Sequence, residues 1–440
     1  MVQISPNDTG SESSPQRIQS LPTELIEEIL IHTWDAEIAD CLRAPFGTLL
    51  KSNWVTLRLS HVCWRWRTIA LRLSNLWSTI IVQVPHGDTV DLVKFYLQNS
   101  AQQKLDLHLS TCCPSTVSKV RADNQTDYVI EVIKLWLDKK VYPRWRSINL
   151  NTFNTGICRE LEALGLPDPE MLPDLETAWL HLGFPGREEQ GPWLRALMRC
   201  SSKMRDMAMY NPVPISTCRR LKALRLGMGI DIQVLRKILQ ICGELVTLTV
   251  TTILPGSVKR FPASTLGRIA APSSLENLTF KGLSMDVGAI LDYFTASHLQ
   301  ALSITQWDPL FTNATSRSLC RFFEQSKCAI TTFHISDQNL RPSTVEPTSA
   351  LLFSALPYLE HVRDCTLRFN ITNEQATRLL RPEVDVDAPE ILRVPFPSLL
   401  SLKLQRSQPG PKLRDVFTER QNVHLVEENV RQGHFDYWTP

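Results

Sequence analysis

The sequence predicts a mixed α/β chain, in which a small helical module is followed by an irregular solenoid of short parallel strands alternating with helices. Three observations carry this expectation. The chain has 440 residues, more than one compact core absorbs, so two or three domains or an elongated repeat array is required. Two apolar blocks at helical spacing stand before residue 80. Beyond residue 140 a pattern recurs about ten times: an apolar residue, two of any kind, an apolar residue, one of any kind, and a third apolar residue.

The first block is Leu21-Pro-Thr-Glu-Leu25-Ile26-Glu-Glu-Ile29-Leu30, with apolar residues on one face at helical spacing. It reads as a short amphipathic helix with Pro22 in the first turn, where a missing N–H costs nothing. Glu24, Glu27 and Glu28 lie near the positive end of its dipole. The second block runs from Leu57 through Val62-Cys63-Trp64-Arg-Trp66-Arg67-Thr-Ile69-Ala70 to Leu76-Trp77 and is also helical in period. Asp35 to Val55 reads as a looped excursion between the two.

The order Leu-Pro-x-Glu-Leu-Ile-x-x-Ile-Leu, then Val-Cys-x-x-Trp-Arg-x-Ile-Ala, then Leu-Trp resembles the F-box over roughly residues 18 to 80. The resemblance implies a three-helix module whose exposed apolar residues dock a Skp-type adaptor, which joins a cullin scaffold carrying a RING subunit. Leu21, Pro22, Leu25, Ile26, Ile29, Val62, Cys63 and Trp66 would form that docking surface or its immediate support. Two departures from the family pattern stand out: the long stretch from Asp35 to Val55, and Trp64 where a basic residue is commoner.

The recurring triples are Trp145, Ile148, Leu150; Leu175, Ala178, Leu180; Met204, Met207, Met209; Leu221, Leu224, Leu226; Leu245, Leu248, Val250; and Leu275, Leu278, Phe280. They continue as Leu299, Leu302, Ile304; Ile330, Phe333, Ile335; Leu359, Val362, Cys365, the poorest; and Leu399, Leu402, Leu404. Alternation at the end of each predicts a short strand with one buried face. Between them, Asp231–Cys242, Met285–Phe294 and Ser316–Phe323 have helical spacing, and Gly243 and Gly282 sit where turns are needed. Starts lie mostly about 24 to 31 residues apart, and the pattern resembles degenerate leucine-rich repeats, without the family's inward Asn or Cys ladder. Stacked units would bury one another's faces in a curved solenoid.

The expected organisation is a polar leader over 1–17, the F-box-like module over 18–80, a linker and N-terminal cap over 81–140, the array over 141–405 and a C-terminal tail over 406–440. Within the cap, Lys104–Leu109 reads as an atypical first strand and Tyr128–Leu137 as a helix. The tail, with Phe435, Tyr437 and Trp438, reads equally well as frayed or as folded back along the array.

Composition narrows the partners. A formal net charge of +2, with Lys and Arg evenly spread, gives no electrostatic grip on nucleic acid or anionic membrane. No run of about 18 apolar residues and no secretory signal is read in the sequence. The 11 scattered cysteines suit reduced thiols in the cytoplasm or nucleus. Cys112-Cys113 lacks a nearby His, Gly227-Met-Gly229 lacks the rest of a phosphate loop, and no catalytic, metal-ligating or cofactor-binding residue is assigned.

The expected function is therefore that of a non-catalytic substrate-recognition subunit of an SCF-type ubiquitin ligase, with the adaptor on the F-box-like module and an unidentified protein substrate on the repeats. Arg225, Thr247, Thr249, Lys281, Gln306 and Lys403 flank the apolar strand positions and are the candidate target contacts. The alternative is a leucine-rich-repeat scaffold or binding protein acting outside ubiquitin transfer, with the helices serving as an N-terminal cap.

Overall fold

The structure is a computed structural model. It describes residues 21–43, 54–83, 87–111, 119–152, 163–164, 172, 174–182, 203–209, 219–227, 230–251, 268–282, 287–306, 313–337, 355–368, 383–384, 392–393, 396–406 and 424–429. The chain divides into two compact units, Met1–Pro167 with Leu182–Phe184, and Asp168–His181 with Pro185–Pro440. The helices of the expected 18–80 module thus share a unit with the strands that follow them. The 1–17 leader and the tail aromatics Phe435, Tyr437 and Trp438 lie outside the described residues.

The first unit opens with α1 (Thr23–Arg43). This helix is far longer than the segment read from sequence: the first part of the expected loop after Asp35 continues it. The reason is visible in its spacing, since Ile26, Leu30 and Ile38 are buried and Trp34 is half-buried, a single stripe repeating every four residues. Ile38 packs with Val55 and Ile81, so the second half of α1 has a core of its own to join. Helices α2 (Val55–Ser60) and α3 (Trp64–Arg72) follow, and the Arg58–Glu37 ion pair ties α2 to α1. The thiol of Cys63 caps α3 by accepting from the Trp66 N–H at 3.5 Å.

After a turn of 3-10 helix (Ser74–Trp77) come β1 (Thr79–Gln83), α4 (Gly87–Asn99), β2 (Leu105–Ser110), α5 (Lys119–Trp136) and β3 (Trp145–Thr152). The strands pair in parallel with Ile80, Leu107 and Ile148 in one ladder and Val82, Leu109 and Leu150 in the next. The first strand is therefore at Thr79 rather than near Lys104. Trp77, Ile80 and Val82 have the recurring spacing, a repeat unit hidden in sequence because Leu76-Trp77 also completes the helical motif. Trp77 is fully buried, donates from Nε1 to the Ala70 carbonyl at 2.7 Å, and meets Phe95 and Tyr96 edge-on at 5.2 and 5.0 Å. Thr56 Oγ1 donates to the Leu76 carbonyl at 2.6 Å, so α2, α3 and the first strand turn are joined by hydrogen bonds as well as by packing.

The second unit holds a parallel sheet formed by β4 (Thr177–Leu182), β5 (Asp206–Met209), β6 (Ala223–Leu226), β7 (Thr247–Val250), β9 (Asn277–Gly282), β11 (Ala301–Gln306), β12 (Thr332–Asp337), β13 (Asp364–Arg368), β16 (Ser401–Arg406) and β17 (His424–Asn429). Two small pairs complete it: β8 (Ile269–Ala270) with β10 (Phe294–Thr295), and β14 (Glu383–Val384) with β15 (Leu392–Arg393). Helices α6 (Ile232–Ile241), α7 (Val287–Leu291) and α8 (Asn313–Ser326) lie in the connections. Asp231 starts α6 by accepting from the Gln233 N–H at 2.7 Å, and Ile232, Leu235, Ile238 and Leu239 are its buried stripe. Gly282 ends β9 rather than forming a turn.

Register is constant from strand to strand. Ala178, Met207, Leu224, Leu248, Leu278, Leu302, Phe333, Cys365 and Leu402 form one continuous buried ladder. The entries of the sheet strands from β5 to β16 repeat one device, in which two successive N–H groups converge on a single carbonyl at the entry of the preceding strand. Val246 and Thr247 donate to Lys222 O, Gln300 and Ala301 to Glu276 O, and Leu400 and Ser401 to Arg363 O. The predicted triples coincide with these strands, with one correction: the triple beginning at Leu359 is out of register, since Cys365 and Leu367 pair with Phe333 and Ile335, making the unit Val362, Cys365, Leu367. In the tail, β17 pairs in parallel with β16.

Two expectations follow. Leu278→Asp puts a charge into the dry ladder and should abolish cooperative unfolding of the second unit, whereas Thr279→Asp, one residue on and half-buried, should shift the urea midpoint only slightly. Trp77→Ala should cost about 3–5 kcal/mol, and Trp77→Phe about 1–3 kcal/mol through the orphaned Ala70 carbonyl, both read from urea unfolding of the first unit.

Candidate functional site

Among the described residues, the large apolar side chains left exposed are Leu25, Ile29, Val62, Trp64, Leu71, Phe95 and Leu400. Five of the seven belong to α1, to α3, or to the turn before α3. Leu25 and Ile29 are one helical turn apart on α1, at 50% and 40% exposure, and Val62 is 59% exposed. Arg65 Nη2 donates to Thr23 Oγ1 at 3.3 Å, which brings the start of α3 against the start of α1. Two short stretches distant in sequence thereby present apolar groups from neighbouring helix ends.

The residues expected to dock an adaptor divide into two classes. Pro22, Leu25, Ile29 and Val62 are exposed. Ile26 is fully buried and supports the stripe behind Leu25 and Ile29. Leu21, Cys63 and Trp66 are half-buried, and Cys63 acts on the backbone as the cap of α3. Sequence reasoning set Trp64 aside as a departure, yet at 79% it is the most exposed large apolar residue described. The signal was present: Trp64 lies five positions before the buried Ile69, about 140° round a helix of 3.6 residues per turn, and so points away from the core.

In the second unit, the strand positions between the buried ones form a polar row. Trp179, Ala208, Arg225, Thr249, Thr279, Ser303, His334, Thr366 and Lys403 follow one another in register across nine strands. The Arg225 guanidinium lies over the Trp179 ring at 4.4 Å, reaching across β5, where Ala208 is small enough to let it pass. Of the expected target contacts, Arg225, Lys281 and Lys403 are exposed and Thr247 and Thr249 half-buried. Gln306 closes β11, and its side chain lies outside the described ones.

Electrostatics mark two histidines. Burial, reinforced by the cations of Arg368 and Lys281, lowers His334 from 6.5 to about 4. In the first unit, burial lowers His108 to about 4 against the opposing pull of Asp106; its Nδ1 is enclosed without a hydrogen-bond partner although the residue as a whole is half-covered. Burial also raises the Asp206 carboxyl, and Arg225 opposes that rise.

No group of three or more His, Cys, Asp or Glu suited to hold a metal ion occurs among the described residues; Cys112 and Cys113 lie outside them. No helix among the described residues is long and apolar enough to cross a membrane. No protein-family model matches the chain, and no curated protein matches it.

An imidazole held near 4 in the folded chain returns to about 6.5 on unfolding, so between these values the unfolded chain binds more protons. The stability that these two imidazoles contribute is fully present above about pH 6.5 and is lost as pH falls toward about 4. The urea midpoint of the second unit should fall as pH is lowered through this window, and His334→Asn should flatten that dependence.

Proposed function

We propose that this chain is a non-catalytic substrate-recruiting subunit of a cullin–RING ubiquitin ligase, with α1 and α3 docking a Skp-type adaptor and a leucine-rich-repeat-like solenoid, formed by the parallel strands and their connections, holding a target protein. The observation that carries the reading is the exposed apolar surface of Leu25, Ile29 and Val62, at the positions the F-box resemblance implies and backed by the buried Ile26 and Leu30. Apolar side chains held on a folded helix face in water lower the free energy when a partner covers them, which is what an obligate docking surface requires. Trp64 extends that surface, where the family more often has a cation.

In this reading the chain does no bond chemistry. It raises the effective concentration of target lysines near a ubiquitin-charged enzyme held elsewhere on the scaffold. The polar row from Trp179 to Lys403 is the target-binding face, since its residues are free to vary while the ladder behind them is fixed by packing. The setting is the cytoplasm or nucleus, where adaptor and scaffold would be met.

A second reading rests on Trp77. Because it locks α3 to α4, and because Thr56 bonds to Leu76, the helices also close the open end of the first strands, as the N-terminal cap of a repeat protein acting outside ubiquitin transfer would. Co-expression with a Skp-type adaptor separates the two. Leu25→Asp with Ile29→Asp should lower co-purified adaptor at least tenfold, by the usual scale for interface anchors, while leaving the unfolding midpoint of the first unit near the parent value. Adaptor recovered at the parent level from the variant, or none from the parent chain, would leave only the cap.

A further inference from the structure

Resting on the reading of the polar row as the target-binding face, we propose that its β9-to-β16 portion takes an extended peptide segment bearing carboxylates at alternate positions, gripped by Lys281, Arg368 and Lys403. Register sets the geometry. Lys281, Thr305, Ser336 and Arg368 are successive partners across β9, β11, β12 and β13, so the two cations stand three strand spacings apart, about 14 Å at about 4.8 Å per strand. Lys403 lies one strand further, in the neighbouring row with Thr366 and His334. Lys281, Arg368 and Lys403 are all exposed.

The floor between the cations is polar and closely filled. Thr305 and Ser336 are buried, and Thr279, Ser303 and Thr366 are half-buried beside them. His334 reports the local charge from inside this patch, for the cations of Arg368 and Lys281 both act to keep it neutral. Of the acids on this face, Asp364 opens β13 four residues before Arg368, and Asp206 stands at the start of β5, outside the β9-to-β16 portion. An extended chain advances about 3.3 Å per residue with alternate side chains on one face, so about four or five residues crossing the strands span the two cations. Carboxylates two and four residues apart then meet Lys281, Arg368 and Lys403 in turn.

Fluorescence anisotropy of the full chain with a labelled oligoglutamate peptide tests this, with an oligoglutamine peptide of the same length as control. Expected are saturable glutamate binding that strengthens as salt is lowered, no glutamine binding, and a His334 pKa that rises when the peptide is bound, followed by NMR. Lys281→Glu with Arg368→Glu should weaken the peptide at least tenfold, and the milder Lys281→Gln with Arg368→Gln should weaken it in the same direction while keeping the parent unfolding midpoint. Full peptide binding by the folded glutamine variant, glutamine bound as well as glutamate, no binding by the parent chain at low salt, or tighter binding of a single-stranded oligonucleotide would each overturn the proposal. The same variants should retain the adaptor. Loss of adaptor from the parent chain with peptide binding intact would count against the ligase reading and not against this one.

Discussion

Everything in the second unit depends on strands meeting without a register slip. A shift of one residue would turn Leu224, Leu248, Leu278, Leu302 and Phe333 outward and bring Arg225, Thr249, Thr279, Ser303 and His334 into the core. Two things prevent it. The apolar ladder removes the side chains from water, and the paired N–H groups that close on one carbonyl at the entries of the sheet strands from β5 to β16 fix where those strands begin. The outward row is therefore placed by the inward one, and chemistry can vary on the first while packing holds the second.

The first unit solves a different problem with the same spacing. Its strands begin at Thr79, immediately after Trp77, and that indole is both the last large side chain of the helical motif and the first residue of a repeat triple. Burying it against Phe95 and Tyr96 commits α3 to the strands. The packing of Ile38 with Val55 and Ile81 does the same for α1, and so accounts for its length. With one side of the helices so engaged, the large apolar residues of α1, α3 and the turn between α2 and α3 that remain in water are Leu25, Ile29, Val62, Trp64 and Leu71.

Much of this was legible in the sequence because periodicity records which face is buried. The triples marked the sheet strands of the second unit from β4 to β16, though not β17, and Asp231 with its apolar stripe marked α6. The failures have physical causes. At Leu359 the spacing of apolar residues allowed two alignments, and only pairing with Phe333 and Ile335 selects Val362, Cys365 and Leu367. At Asp35 charged and small residues masked a stripe that repeats every four residues through Trp34 to Ile38. Trp64 showed that an aromatic amid basic residues is best read by its angle from the core. The grouping of Lys281, Arg368 and Lys403 around His334 was beyond one-dimensional reading, since residues as far apart as 281 and 368 come onto one row of the sheet only once the strands are in register.

The central claim is a division of labour, with the helix face for the adaptor and the strand face for the target. Site-specific photo-crosslinking of the full chain in the presence of a Skp-type adaptor reads it directly, with the crosslinker placed in turn at Val62 and at Thr249. The account predicts an adaptor adduct from Val62 and none from Thr249; an adduct from Thr249, or the absence of one from Val62, would contradict it.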